Sequence, residues 1–588
     1  MQFRITFFLI SINLFCYSQI QKESFNWTLP ESVIFLNSTF STLGAIDTMD
    51  VNGIYLSSSF PLKSTLNRFG LPSIDLLETN ESIYTPNFRQ RSAITFSALP
   101  HVGFSYLFGS QGAQLLRANY EQAFKKGFLL NAQIGTDITN GFYRNSGFSQ
   151  SKYALQLARN SKRHSFFLVA FSGKEVRDWN GGLVSDSQAL FFSPDILPVR
   201  KNDASSEFRN KKISLTNNIN LINDSLRVFA IQTKHFYESN ARTYSEQNSI
   251  VGSYDSIYFD STQTSDKYDL NTMENQVGFI FKGSILEFSS HAVLRNWSYQ
   301  NLEIKSDTTE FDLRERVQFK NKRFKITNSS SFNLFGAKNA FTIFTEASTS
   351  FLGCKLHFNH LYQKSLPNVF KRYYSSNNVF YKLENFDLQT QQKFRFLVSK
   401  SFSKQAVSFD YTLVSFNQNY FFNSLISEWQ KDLPVSKAII HQAKISSDFH
   451  FSFLHIYPSY TFTKMDESID FLPQHTFETR VLIKGGIFKA KKLKGMLGFD
   501  FIALSSYKSL TYIPQMGIFD FNILSQVKAN SGTMNAGVFT GFEVDKFRFY
   551  LRWDNLAYLW ANRMQSFVIG SPLPSTQIKL GITWDFWN

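Results

Sequence analysis

The residues that could do chemistry are few and scattered. His357-Phe358-Asn359-His360 has the spacing of a helical metal pair. On a strand, residues three apart face opposite sides, so these imidazoles do not share an ion and read as surface or lumen histidines. Cys354 alternates with Leu352, Leu356 and Phe358, which places it toward an apolar exterior as an inert thiol. There is no Gly-rich phosphate loop, paired-cysteine zinc pattern or nucleophile elbow. Ser, His and Asp are plentiful, but no spacing singles out a triad. We assign no catalytic residue, cofactor or metal, and keep a barrel enzyme only as a remote alternative.

Charge is the richer signal. The chain carries 61 Lys+Arg against 46 Asp+Glu, a formal net charge of +15. A nucleic-acid binder would gather its cations on one stripe. Here they are dispersed, which argues against a nucleic-acid partner. Many fall at alternate positions on polar faces: Arg117, Lys152, Lys355, Lys393, Arg395, Arg480, Lys484, Lys494, Arg548, Arg552 and Lys579. Asp137, Asp410, Asp500 and Asp554 share those faces, as do Glu121, Glu543 and Asp585. Facing a wet lumen, such charges hydrate it and set its field. They lead us to expect a weak anion preference, with mutual neutralisation across the lumen as the alternative.

The elements that must position these charges are strands. Phe128, Leu130, Ala132, Ile134 and Ile138 alternate with Asn131, Gln133, Gly135 and Asp137, a period of two over the length of a tilted membrane strand. The pattern recurs in pairs, as in Phe394–Val398 with Val407–Leu413, and Val538–Val544 with Phe547–Trp553. Weaker pairs span Lys322–Ala347 and Ala438–Phe462. Connections inside a pair are about two to six residues and those between pairs mostly long and polar, as expected of an outer-membrane barrel. About nine candidate pairs, two of them weak, give an all-β transmembrane antiparallel β-barrel of about 18 strands (range about 16 to 20), with short periplasmic turns and long extracellular loops. The last strand places Ile578, Leu580, Ile582, Trp584 and Phe586 on one face, an aromatic C-terminal strand similar to the recognition signal of bacterial outer-membrane barrels. A mean hydropathy of −0.21 suits walls that are apolar on one side only.

The 17% aromatic content has a matching place. Mid-strand Phe residues read as lipid-facing bulk. Trp297, Tyr299, Trp553 and Trp584, nearer strand ends, read as membrane-interface girdle residues. At the N-terminus, Met1–Arg4 is a basic lead to apolar Ile5–Phe15, and Cys16-Tyr17-Ser18 offers a cleavage site before Gln19. Residues 1–18 therefore read as a secretory signal peptide. Its removal leaves Cys354 as the sole cysteine, with no intrachain disulfide. Residues 19–92 alternate poorly and read as an irregular lead, periplasmic or plug-like, and 93–588 as the barrel.

Three stretches resemble the putative-porin family of Bacteroidota outer membranes. The first, Pro100–Leu183, contains HVGFSYLFGSQGAQ, Gly141-Phe142-Tyr143-Arg144-Asn145 and Asn180-Gly181-Gly182-Leu183. The second, Leu472–Phe519, contains LPQHTFETRVLIKGGIF and SYKSLTYIPQMGIF. The third is FRFYLRWDNL with the final SPLPSTQIKLGITWDFWN. Tyr373-Tyr374-Ser375-Ser376-Asn377-Asn378 is similar to the family as well. The chain departs from the family pattern at Asp585, where a basic residue is usual.

The resemblance and the barrel pattern together imply an outer-membrane porin of a Gram-negative bacterium, allowing passive diffusion of small hydrophilic solutes. Its partners would be outer-membrane lipids, those solutes, and the barrel-assembly machinery during biogenesis. A homo-oligomer or envelope complex is left open. The alternative is a non-conducting or specialised barrel, accessory to an envelope secretion or uptake complex. Bilayer conductance separates the two.

Overall fold

The computed structural model describes residues 100–587 apart from 125–126, 186–191, 225, 248–255, 338, 384, 404, 424–426, 466–470, 488–491, 521–528, 531 and 561–568, together with the two-residue strands Ile34–Phe35 and Thr95–Phe96, which pair in parallel. The expected signal peptide, and the lead apart from Ile34–Phe35, lie outside the described residues.

Alternation of apolar and polar residues builds one closed antiparallel barrel. Its strands are β1 His101–Gly109, β2 Ala113–Phe124, β3 Phe128–Thr139, β4 Phe148–Asn160, β5 His164–Trp179, β6 Ala204–Asn223, β7 Val228–Glu246, β8 Thr264–Lys282, β9 Leu286–Gln300, β10 Lys305–Lys320 and β11 Phe324–Phe335. They continue as β12 Phe341–Phe351, β13 Cys354–Ser365, β14 Gln389–Ser401, β15 Gln405–Asn417, β16 Ile439–Phe451, β17 Leu454–Met465, β18 His475–Gly486, β19 Leu493–Leu504, β20 Thr533–Val544, β21 Phe547–Asp554 and β22 Gln577–Trp587. Each pairs with its sequence neighbour, and β1 closes on β22 from His101↔Trp587 to Gly109↔Lys579. Closure leaves no open edge for lipid to meet.

The barrel has 22 strands, not about eighteen. Two strands between recognised pairs were missed, β10 and β13, and β10 shows why. On its outward row, Phe311, Leu313, Val317 and Phe319 are mixed with Lys305, Asp307, Thr309 and Glu315, which masks the period. The pair placed at Lys322–Ala347 is in fact β11 and β12, halves of two different hairpins joined by the brief connection 336–340. β13 and β1 complete the count.

Loop lengths are segregated. One end carries tight turns such as 161–163, 321–323, 352–353 and 545–546. The other carries nearly all the long connections, including 180–203, 366–388, 418–438 and 555–576. β6, β7 and β8 run 20, 19 and 19 residues, about twice the ~9–11 that a tilted strand needs to cross hydrocarbon. Near the tight turns their outward residues are apolar, as at Ile231, Val277 and Phe279. Toward the long loops the outward row turns polar, and Glu207 pairs with Lys174 and Arg209 there. The wall thus rises well past the lipid band on this side.

At the closing seam the wall is shaped by glycine. Gly581 of β22 lies opposite Tyr550 of β21, whose ring occupies the space where a Cβ would sit. Gly581→Ala is expected to lower barrel stability by about 1–3 kcal/mol through overpacking. The loss should shrink in a Tyr550→Ala background, read from urea unfolding of the chain in lipid vesicles. Equal losses in both backgrounds would show that the ring is not the obstacle.

Candidate functional site

Strand register places every predicted lumen charge on the inward row, because directly opposed residues of an antiparallel pair share a face. Arg117 of β2 pairs with Asp137 of β3, and Lys152 crosses Gly135 beside Arg117. Lys355, Lys393, Arg395 and Asp410 follow along β13, β14 and β15. Lys484 lies inward toward the tight turns of β18.

Around the seam the charges form two chains. In one, Asp500 accepts from Arg480 (2.7 Å) and Arg552 (2.9 Å), while Asp554 accepts from Arg552 (2.6 Å) and Lys579 (2.7 Å). In the other, Glu543 accepts from Lys494 (2.8 Å) and Arg548 (3.0 Å), and Arg548 reaches Asp585 (2.6 Å). Asp585 and Glu121 then flank His101 at 3.3 and 3.4 Å. Signs alternate along each chain of contacts. These neighbours are close enough to balance one another locally along the seam.

Sequence reasoning missed a further network, because β10 carries half of it. Glu274 of β8 accepts from Arg295 of β9 (2.9 Å) and Arg314 of β10 (2.8 Å). Arg295 also reaches Glu310 (3.0 Å), which accepts from Trp297 Nε1 (3.2 Å).

That contact corrects two girdle assignments. Trp553 and Trp584 lie on the outward row, and Trp584 packs edge-on to Phe547. Trp297 and Tyr299 instead face inward, and Tyr299 is fully buried. They sit on the part of β9 that rises toward the long loops, where aromatic residues pack on loops and not on lipid. His357 faces inward, whereas His360 faces outward and stacks on Phe394 at 4.3 Å. Cys354 is outward on β13.

The long connections fold into the mouth and interlock. The connection 366–388 begins with a short helix, Val369–Arg372, followed by the hairpin Tyr373–Ser375/Phe380–Lys382. Its tip, Ser376-Asn377-Asn378, is buried. Asn377 Oδ1 accepts from the backbone N–H of Phe259 (3.1 Å) and Asp260 (2.8 Å), and Nδ2 donates to Asp260 O (2.8 Å) and Thr264 Oγ1 (3.1 Å). The Asn377 N–H donates to Asp266 Oδ1 (2.7 Å). Asn378 Oδ1 accepts from Gln515 Nε2 (3.2 Å), which brings in a third connection, after β19. Arg242 on the wall of β7 donates to the carbonyls of Gln515 and Pro514.

The other family-like stretches take similar places. Tyr143 OH donates to Pro572 O (3.2 Å), and Asn145 Nδ2 to Trp179 O (2.8 Å). Leu183 N donates to Gly570 O (2.7 Å), and Ile569 N to Leu510 O (3.0 Å). Gly182 and Gly570, at φ of 90° and 75°, lie so close that a side chain on either would press on the other's backbone. The 418–438 connection joins through Trp429 Nε1, which donates to Tyr381 OH (2.5 Å). Aromatic residues from loops and upper wall, among them Tyr268, Tyr299, Phe370, Tyr374 and Trp429, form a dry cluster. A sizeable part of the aromatic content therefore lies inside the mouth and not on the lipid face.

Two basic residues sit within this cluster. Lys371 Nζ donates to Gln389 Oε1 (3.3 Å) above the Trp429 ring. Arg372 is covered by Trp297, Phe386 and Tyr373 at 5.2, 5.2 and 5.6 Å. Burial pulls its guanidinium below the ordinary arginine range, opposed by Tyr373 and Glu310. Among the described residues no group of three or more His, Cys, Asp or Glu is arranged to hold a metal ion.

A closed antiparallel barrel with an apolar outer band and a charged inner wall is an outer-membrane β-barrel. The family model described as "putative porin" matches residues 78–588, so the chain belongs to the putative-porin family. No curated protein matches significantly. Among solved structures, the siderophore receptor PirA from Acinetobacter baumannii is similar at 10% identity, with 84% of this chain and 82% of that one covered and a TM-score of 0.60. The copper transporter OprC is similar at 9% identity, with coverages of 84% and 81% and a TM-score of 0.60. The FrpB iron transporter from Neisseria meningitidis is similar at 9% identity, with coverages of 84% and 83% and a TM-score of 0.58.

At such identity the likeness is one of fold, but it corrects the expectation of a passive diffusion porin. These structures are dedicated receptors and transporters. Open aqueous porins typically have about 16–18 strands, whereas 22-stranded outer-membrane transporters have a plugged lumen.

The seam can be tested by its burial. Asp500 is 1% exposed between two guanidiniums, whereas Asp410 is 20% exposed beside a half-exposed Arg395. Asp500→Ala is expected to cost about 3–5 kcal/mol by stranding buried charge. Asp410→Ala should cost less than about 1 kcal/mol. Urea-unfolding midpoints in vesicles compare the two.

Proposed function

We propose that this chain is a loop-gated outer-membrane uptake barrel for small solutes, closed at rest and opened when its interlocked loops part. The tight-turn end faces the periplasm and the long-loop end the exterior, the usual arrangement of such barrels. The observation that carries the reading is the tie at Asn377 and Asn378, which binds three connections together across the mouth. A solute enters when competing contacts replace these hydrogen bonds, each of which contributes only about 0.5–1.5 kcal/mol net. Along the seam beneath, paired charges balance locally, so this stretch of wall does not trap a solute by a long-range field. The fold of dedicated receptors and transporters supports this reading over a free pore.

Planar-bilayer recording of the full chain tests it. Native protein should show rare, brief openings. Asn377→Ala combined with Asn378→Ala should raise open probability at least about tenfold, since several buried hydrogen bonds are lost together. Steady high conductance of the native chain from insertion onward would sink the gated reading.

A further inference from the structure

Among the described residues, the buried guanidinium of Arg372 has no anionic partner. Its side chain is 8% exposed, and among the described residues it makes neither an ion pair nor a hydrogen bond. Its contacts are the rings of Trp297, Phe386 and Tyr373, over which the guanidinium carbon lies. Cation–π contact supplies no hydrogen-bond acceptor to the guanidinium N–H donors. Nε is sealed from solvent with no acceptor. Glu310, whose charge acts on Arg372, already accepts from Trp297 Nε1 and Arg295. Lys371, one residue earlier, has by contrast an acceptor in Gln389.

An unpaired buried guanidinium is costly to keep. The surroundings orient it and hold it by apolar contact, as a receptor would if the missing partner arrived from outside. The site also belongs to the gate. The Arg372 carbonyl accepts from Leu383 N (2.8 Å), and the hairpin that starts at Tyr373 carries Asn377 at its tip. An anion drawn to Arg372 would act directly on the connection that ties the mouth.

We propose that the edge of Arg372 is a recognition site for the anionic group of the solute, a carboxylate or a phosphate taken by paired N–H donors. The site rests on the uptake reading only in assigning the anion to a transported solute. It is separate from the seam below, where the wall charges pair off.

Calorimetric titration of the full chain in detergent micelles, at constant ionic strength, tests binding without transport. The probes are citrate and inorganic phosphate, with chloride as the control. Saturable binding of citrate alone identifies a carboxylate site, and of phosphate alone a phosphate site. Either is expected to weaken at least about tenfold in Arg372→Lys, which keeps the charge and loses the fork. Arg372→Gln should abolish it. If Arg372→Gln does not fold, Arg372→Lys decides. No saturable heat with either probe, or unchanged affinity in Arg372→Lys, overturns the proposal. A chain that binds citrate yet conducts steadily would fail as a gated channel and keep its anion site.

Discussion

In hydrocarbon, every backbone N–H and C=O needs a partner, and a sheet meets that demand only by closing on itself. This chain closes between β1 and β22. Barrel diameter grows with strand number, and at 22 strands the bore exceeds what wall side chains can fill. Something else must occupy the space or leave it open. The long connections do so from one end, and they can because β6–β10 carry the wall beyond the lipid. The family-like stretches then make physical sense as a set. Gly141–Asn145, Asn180–Leu183, Tyr373–Asn378 and the Pro514–Gln515 turn are loop segments whose carbonyls, amides and small residues fit one another in the mouth.

Much of this was legible in the sequence where one face meets lipid. Phe128–Ile138 shows its period because its outward row is apolar apart from Thr136. The inward placement of Arg480, Asp500, Arg552 and Lys579 follows from alternation alone. β10 was hidden because much of its outward row stands in water, so both faces are polar and period two loses its contrast. Trp297 and Tyr299 misled for the same reason. An aromatic residue near a strand end marks the lipid interface only if that strand ends at the interface, and β9 does not. Asn377 could be noticed as part of a family-like stretch, but no local rule says that an Asn-Asn pair will bind a loop more than a hundred residues away. Arg372 gives no sequence signal, since its aromatic cover comes from both β9 and its own loop.

The net charge of +15 shows why composition alone misleads about fields. Across the seam, cations and anions alternate so closely that each interaction is local. Asp585, the departure from the family pattern, has Arg548 and His101 as partners there. A uniformly basic wall would hold anions along its whole length and hinder their release. A neutralised wall leaves recognition to those positions where a charge is withheld from pairing. Arg372 is such a position, and it lies on the connection that ties the others. On the proposed reading, selectivity and gating fall in one loop above a stable barrel wall.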